Sequence, residues 1–412
     1  MLAKLKKIDA FTRNIIVVFA SASLFNFLNL LFQLLIAHKL TSIEFAGFNS
    51  LLSVLMLFSV PLGTLQLALA KYISAFNARG EEAKISYLFS SFFKATFICA
   101  LVTFAIFCFG SAYLMSLLKI ESAMSGYIFA ALIASAWLSP VFLGALQGLE
   151  LFWWLSAATV ISGALKLGLA FVFIILSYNI AGAMAALLIS ALAAIGFAYV
   201  PLKKYLIGKI DKQEINFKEI FTYLFPVAIA FFCFTVITTF DMVLVRYYFS
   251  QQDSGVYALA QMIGKIFLFL PGAISVVMFP RTSGLHANNQ DTRSTLKKSL
   301  FYVFILAIIA AIFYNVFPGF VLTVLTGKAY PESIILGRLF SVSMTFYTLL
   351  FILVTYFLSV RDLRFIKFLA PVSFAQVIGM MLFHPSLLVV QAIMCFSSIL
   401  LFFVHLRLIY RK

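Results

Sequence analysis

The chain has 412 residues, of which 64% are hydrophobic and 11% charged, where an ordinary soluble domain carries ~25% charged residues. No aqueous core hides that much apolar surface, which excludes a water-soluble globular protein. The net charge of +16 raises nucleic acid as a partner, and the placement of the basic residues decides against it.

Apolar runs between polar residues predict membrane spans near 14–37, 46–70, 87–117, 124–148, 151–177 and 180–202. After a polar stretch the pattern resumes, with spans near 219–248, 255–279, 299–325, 332–359, 365–383 and 386–406. Each reaches across, or nearly across, the ~30 Å hydrocarbon core. The expected fold class is therefore an all-α polytopic membrane protein, with about twelve transmembrane helices in two six-helix lobes around a central cavity. The first run follows Lys4, Lys6, Lys7 and Arg13, as a signal peptide would. It is too long for one and lacks a small-residue cleavage site, so it is read as a retained helix.

Most of the 30 basic residues fall in alternate loops. One set comprises the N-terminal cluster, then Lys71, Arg79 and Lys84, then Lys203 to Lys218, then Arg281, Arg293, Lys297 and Lys298, then Arg361, Arg364 and Lys367, and finally Arg407, Arg411 and Lys412. The opposite set holds only Lys39, Lys119, Arg246 and Lys328. By the positive-inside rule both termini are cytoplasmic and the number of spans is even. The positive charge thus encodes topology, and no nucleic-acid partner is expected.

The longest polar stretch, 203–218, divides an N-terminal lobe (1–202) from a C-terminal lobe (219–412) and reads as a cytoplasmic linker. Weak internal symmetry suggests duplication: Pro61 is followed by Lys71 as Pro271 is by Arg281, with Gly47 and Gly255 upstream. Prolines inside spans, at Pro61, Pro140, Pro226, Pro271 and Pro371, free backbone carbonyls and mark candidate kinks.

Ionisable residues inside the spans are Lys94, Lys166, Lys265, Arg338 and a single acid, Asp241. Lys94 and Arg338 lie near span ends, within snorkelling reach of an interface. Lys166 and Lys265 lie roughly 17 Å from either end at ~1.5 Å per residue, where an uncompensated lysine costs ~2.5–3.5 kcal/mol. These two require a polar interior. Adjacent helices bring Asp241 and Lys265 within range of pairing, either as a structural ion pair or as a cation or proton site beside a phosphate contact. The surplus of bases favours an anionic headgroup such as pyrophosphate over a cationic drug. Arg246, one turn beyond Asp241, either extends the basic strip outward or anchors its helix at the interface.

Cys99, Cys108, Cys233 and Cys395 are scattered through spans without C-x-x-C spacing, and His38, His286, His384 and His405 are isolated, so no disulfide or metal site is expected. No Gly-rich phosphate loop is present, and neither cofactor nor ATP is expected.

Three stretches carry a family resemblance: PLGTLQLALAKYISAFNARGEEAK from Pro61 to Lys84, LGALQGLELFWW from Leu143 to Trp154, and FDMVLVRYYFSQQDSGVYALAQMIGKIFLFLPGAISVVMFPR from Phe240 to Arg281. They resemble the polysaccharide-transporter branch of the multidrug/oligosaccharidyl-lipid/polysaccharide (MOP) exporter superfamily, the Wzx-type flippases. The resemblance implies a MATE-like fold and alternating access. It also implies transport of a polyprenyl-pyrophosphate-linked oligosaccharide, an O-antigen, capsule or exopolysaccharide unit, across a bacterial or archaeal inner membrane. Substrate contacts then fall to Lys265, Lys166, Arg338, Lys94 and Arg246, and H+ or Na+ coupling to Asp241, with polysaccharide-assembly proteins as partners. One departure is Glu150, Leu151 and Phe152 after the LQG turn, where relatives often place a base. The alternatives are a cation-coupled drug exporter of the same superfamily and a membrane-embedded polymerase. The polymerase fits poorly, because Glu44, Glu121, Asp253 and Glu332 are dispersed and singly placed.

Overall fold

The computed structural model describes residues 10–207, 212–288 and 290–410, and the side chains among them except at 10–16, 223, 269–273, 276, 280, 287 and 410. The basic residues Lys4, Lys6, Lys7, Lys209, Arg411 and Lys412 lie outside the described residues, as do the side chains of Arg13 and Pro271.

Hydrocarbon offers the backbone no water, so every spanning segment must satisfy its own amides, and the regular elements among the described residues are all helices. The first half contains α1 (Ala10–Lys39), α2 (Ser42–Ala78), α3 (Glu82–Phe109), α4 (Ser111–Leu117), α5 (Ala123–Gly148), α6 (Phe152–Ile175) and α7 (Asn179–Leu202). A short 3-10 turn, Lys203–Tyr205, follows. The second half contains α8 (Phe217–Tyr248), α9 (Gln251–Ala287), α10 (Arg293–Val316), α11 (Pro318–Thr326), α12 (Pro331–Ser359), α13 (Ile366–Leu382) and α14 (Leu387–Tyr410). Among the described residues, ten helices are long and apolar enough to cross a membrane. The other two expected spans correspond to the 37-residue α9 and the apolar, 17-residue α13.

Two expected spans are each divided in the structure. The run near 87–117 breaks at Gly110, a poor helix residue, into α3 and the short α4. The run near 299–325 breaks at Phe317, because Pro318 has no N–H to give the carbonyl one turn back and instead opens α11 at its first position. Gly327, at φ 70°, then closes α11 by donating its N–H to the Thr323 carbonyl at 2.8 Å.

The two halves therefore present the same order of seven helices, with a short one fourth, and α2 and α9 share a length of 37 residues. Packing repeats too. In the first half α1 packs on α6, α5 on α3 and α7, and α6 on α7. In the second, α12 packs on α10 and α14, and α13 on α14, while the Gln376 amide of α13 donates to the Ile237 carbonyl of α8 at 3.0 Å.

The chain forms two compact units, residues 1–39 with 58–225, and residues 40–57 with 226–412. Residues 40–57 group with the second unit and 219–225 with the first, unlike a simple division at the 203–218 stretch. Both helices that belong to two units change membership beside a proline. Pro61 removes the donor for the Leu57 carbonyl of α2, and Pro226 is the first residue of α8 in the second unit.

The core of the first unit joins Leu69 and Ile73 of α2, Leu88 and Phe89 of α3, and Phe142 and Leu146 of α5. The G-x-x-x-G pair Gly144 and Gly148 lets α5 approach α2: a Cβ on Gly148 would lie 2.8 Å from Ile73 Cβ and 2.9 Å from the Ala70 carbonyl oxygen. In the second unit α12 is the central helix, with 78% of its most apolar window buried. Overpacking predicts that Gly148→Leu destabilises the protein by ~1–3 kcal/mol, read as a lower melting midpoint in detergent. Gly168→Ala, where a Cβ meets nothing within 4 Å, should leave it unchanged.

Candidate functional site

A buried polar cluster occupies the second unit. Asp241 of α8 is 1% exposed, and its carboxylate accepts from the Tyr257 hydroxyl at 2.8 Å and from Gln261 Nε2 at 3.0 and 3.2 Å. Tyr257, Gln261 and Lys265 follow one another at helical spacing, so α9 presents hydroxyl, amide and ammonium along one stripe. The Tyr257 hydroxyl also lies 3.4 Å from Gln391 Oε1 of α14, whose Nε2 donates to Ser343 of α12 at 2.9 Å. Beside it, Tyr347 donates to Gln376 at 2.7 Å. Five helices of this unit thus meet in one hydrogen-bonded interior, fully buried at Tyr257, Tyr347 and Gln391.

Lys265 does not ion-pair with Asp241. Their charges interact, but the Lys265 ammonium donates to Asn49 Oδ1, and Asn49 in turn donates through Nδ2 to the Phe45 carbonyl at 2.8 Å. Asn49 lies in residues 40–57, so this contact is internal to the second unit. Arg246 is 1% exposed, among the most buried large side chains, which sets aside the reading as a surface anchor. Arg338 of α12 is exposed.

The first unit holds the other deep lysine. Lys166 of α6 is 8% exposed and donates to Asn29 Oδ1 of α1. Its ammonium lies over the rings of Phe25 and Phe32, 5.2 and 5.1 Å from the centroids, positions that attract a cation electrostatically. Phe25, Asn29 and Phe32 share one face of α1. Lys94 of α3 is exposed.

The structure thus brings Asp241, Lys265 and Arg246 into one unit and sets Lys166 in the other. Both deep lysines are held by a carboxamide rather than a carboxylate, so the charge of each is desolvated without being neutralised. Sequence reading singled out the charges and missed the neutral partners Asn29, Asn49, Tyr257, Gln261 and Gln391. The signal was present as amides inside apolar spans and as the Tyr257, Gln261, Lys265 spacing. Among the described residues no group of His, Cys, Asp and Glu is placed to hold a metal ion.

Compared with known proteins, residues 11–286 match the sequence model of the family described as polysaccharide biosynthesis protein. The chain belongs to that family. No curated protein matches the sequence. Among solved structures, an inward-facing multidrug resistance MATE family transporter of the MOP superfamily superposes with TM-score 0.74 at 13% identity, covering 94% of each chain. The lipid II flippase MurJ, in an inward closed conformation, gives 0.72 at 14% identity, covering 96% of this chain and 87% of that one. A MOP superfamily transporter from Pyrococcus furiosus, described by the reverse polarity of its binding pocket, gives 0.59 at 13% identity over 96% and 94%. The polysaccharide biosynthesis family member described here therefore has the MOP transporter fold, in a multi-pass membrane protein.

Because Lys265 has a neutral acceptor, Asn49→Leu should strand a buried ammonium and cost ~1–3 kcal/mol. Asn49→Leu combined with Lys265→Met should recover most of that loss in a thermal double-mutant cycle. Additive losses would show that the pair does not interact.

Proposed function

We propose that the chain is a flippase carrying a polyprenyl-pyrophosphate-linked oligosaccharide, such as an O-antigen, capsule or exopolysaccharide repeat, from the cytoplasmic to the outer leaflet by alternating access. The carrying observation is the pair of deep lysines, Lys166 and Lys265, each hydrogen-bonded to a carboxamide and to no carboxylate. An amide satisfies the ammonium's hydrogen bond but leaves its charge available to a polyphosphate. Membership of a polysaccharide biosynthesis family supports a glycan cargo, and similarity to a lipid II flippase supports a lipid-linked one.

In this reading Lys166 and Lys265 receive the pyrophosphate, while Arg246, Arg338 and Lys94 raise the local potential along its path. The protein lies in a bacterial or archaeal inner membrane with both termini cytoplasmic, as the basic loops argue. Residues 203–218 link the two duplicated lobes, and the glycan is handed to polysaccharide-assembly proteins outside. Asp241, the buried acid among the described residues, is the coupling site for H+ or Na+. The similarity to multidrug transporters keeps cation-coupled small-molecule export as the second reading, and the surplus of buried bases weighs against cationic drugs.

Translocation of a lipid-linked oligosaccharide in proteoliposomes tests the assignment. Lys265→Gln should slow flipping about tenfold or more, a loss of ~1.4 kcal/mol per decade, while Lys265→Arg keeps most of the rate. Equal loss in both, at normal protein levels, would contradict a charge role. Asp241→Asn should abolish dependence on an imposed ion gradient, and unchanged dependence would remove Asp241 from the coupling scheme.

A further inference from the structure

Residues 40–57, the turn at Leu40 and the first half of α2, group with the second unit, whereas α2 from Phe58 onward groups with the first. The segment is held at several depths. At its start the Leu40 carbonyl accepts from the Lys328 ammonium. Ser42 approaches Gly255 of α9 so closely that a Cβ there would lie 3.0 Å from Ser42 Cβ and 3.1 Å from its carbonyl oxygen. About two helical turns further along, ~10 Å, Asn49 Oδ1 accepts from the Lys265 ammonium of α9.

The Asn49 contact differs chemically from its neighbours. Phe45, Phe48 and Leu52 bury apolar surface, and the Ser50 and Ser53 hydroxyls donate to carbonyls of their own helix at 2.8 and 2.9 Å. Asn49 is 1% exposed, and its oxygen reaches α9 instead. Without the ammonium, that buried carboxamide oxygen loses its donor. The loss penalises the packed arrangement and spares one in which the oxygen meets water. The fit of this segment on α9 thus depends on where the Lys265 ammonium points.

Lys265 is half-buried, so a ligand has access to it while the contact is intact. Asp241 keeps to Tyr257 and Gln261, so the carboxamide is the acceptor that a phosphate displaces. A phosphate oxygen carries a full charge where a carboxamide oxygen carries a partial one, and it outcompetes the amide for the same ammonium. We infer that the Lys265–Asn49 bond is a latch that the substrate's pyrophosphate undoes: the ammonium turns to phosphate and residues 40–57 come away from α9. Pro61, which leaves the Leu57 carbonyl without its helical donor, marks the end about which the segment swings. The inference rests on the proposed role of Lys265 as a phosphate contact, and adds that substrate and helix compete for it.

Hydrogen–deuterium exchange of the full chain in detergent, with and without saturating polyprenyl pyrophosphate, reads the latch in peptides covering 40–57, with binding measured in parallel by calorimetry. In wild type the pyrophosphate should speed exchange there about tenfold, while uncharged polyprenol leaves it unchanged. Asn49→Asp keeps the shape and gives Lys265 a carboxylate. It should slow exchange in the absence of ligand, cancel the ligand-induced rise and weaken pyrophosphate binding about tenfold. Pyrophosphate binding with unchanged exchange in 40–57 would overturn the latch and leave the flippase reading standing, as would an equal rise in Asn49→Asp. Absence of binding to wild type would remove the phosphate reading and the latch with it. The wild-type comparison decides between these outcomes without any variant, so misfolding of Asn49→Asp does not protect the inference.

Discussion

The structure turns on how a lysine ammonium is kept at depth in a membrane protein. Left alone in hydrocarbon it costs ~2.5–3.5 kcal/mol, and pairing it with a carboxylate would remove the cost and the charge together. Here a carboxamide does the holding: Asn29 for Lys166 and Asn49 for Lys265. The hydrogen bond offsets part of the desolvation while the positive charge survives. Phe25 and Phe32 add ring faces around Lys166, again without an opposing charge. Asp241 sits close enough to Lys265 for their charges to interact, yet its oxygens are occupied by Tyr257 and Gln261.

The helices exist to place these contacts. The two halves hold sets of seven described helices with the same order and similar packing, and each set has one deep lysine. The sets are not equivalent chemically. The second unit builds a continuous polar interior from Tyr257, Tyr347, Gln376 and Gln391 around its acid. The first unit packs its lysine against phenylalanines. Within the second unit, the Lys328 ammonium also donates to the Leu40 carbonyl at the turn before α2.

Much of the helical architecture was legible in the sequence, because hydrocarbon enforces apolar runs of known length. The ends of α8, α12 and α13 fall within about two residues of the expected spans. The breaks at Gly110 and Phe317 were not legible, since the apolar run continues through both and hydropathy does not register a missing N–H at Pro318. Nor was the grouping of residues 40–57 with the second unit, which depends on contacts distant in sequence such as Asn49 with Lys265. At the site, depth along a helix singled out Lys166, which is buried, and Lys265, which is half-buried. The same reasoning could not separate Arg246, which is buried, from Arg338, which is exposed, because both lie near span ends and only the rotation about the helix axis distinguishes them.

The central claim is that charge at Lys166 and Lys265 recognises a pyrophosphate. Binding of polyprenyl pyrophosphate, polyprenyl monophosphate and uncharged polyprenol to detergent-purified protein tests it most directly, comparing wild type with a Lys166→Gln, Lys265→Gln double variant. The account predicts affinity rising with phosphate charge in the wild type, weakening with salt, and collapsing in the double variant to the level of the uncharged lipid. Equal affinity for all three lipids, or a ranking that the double variant preserves, would contradict it.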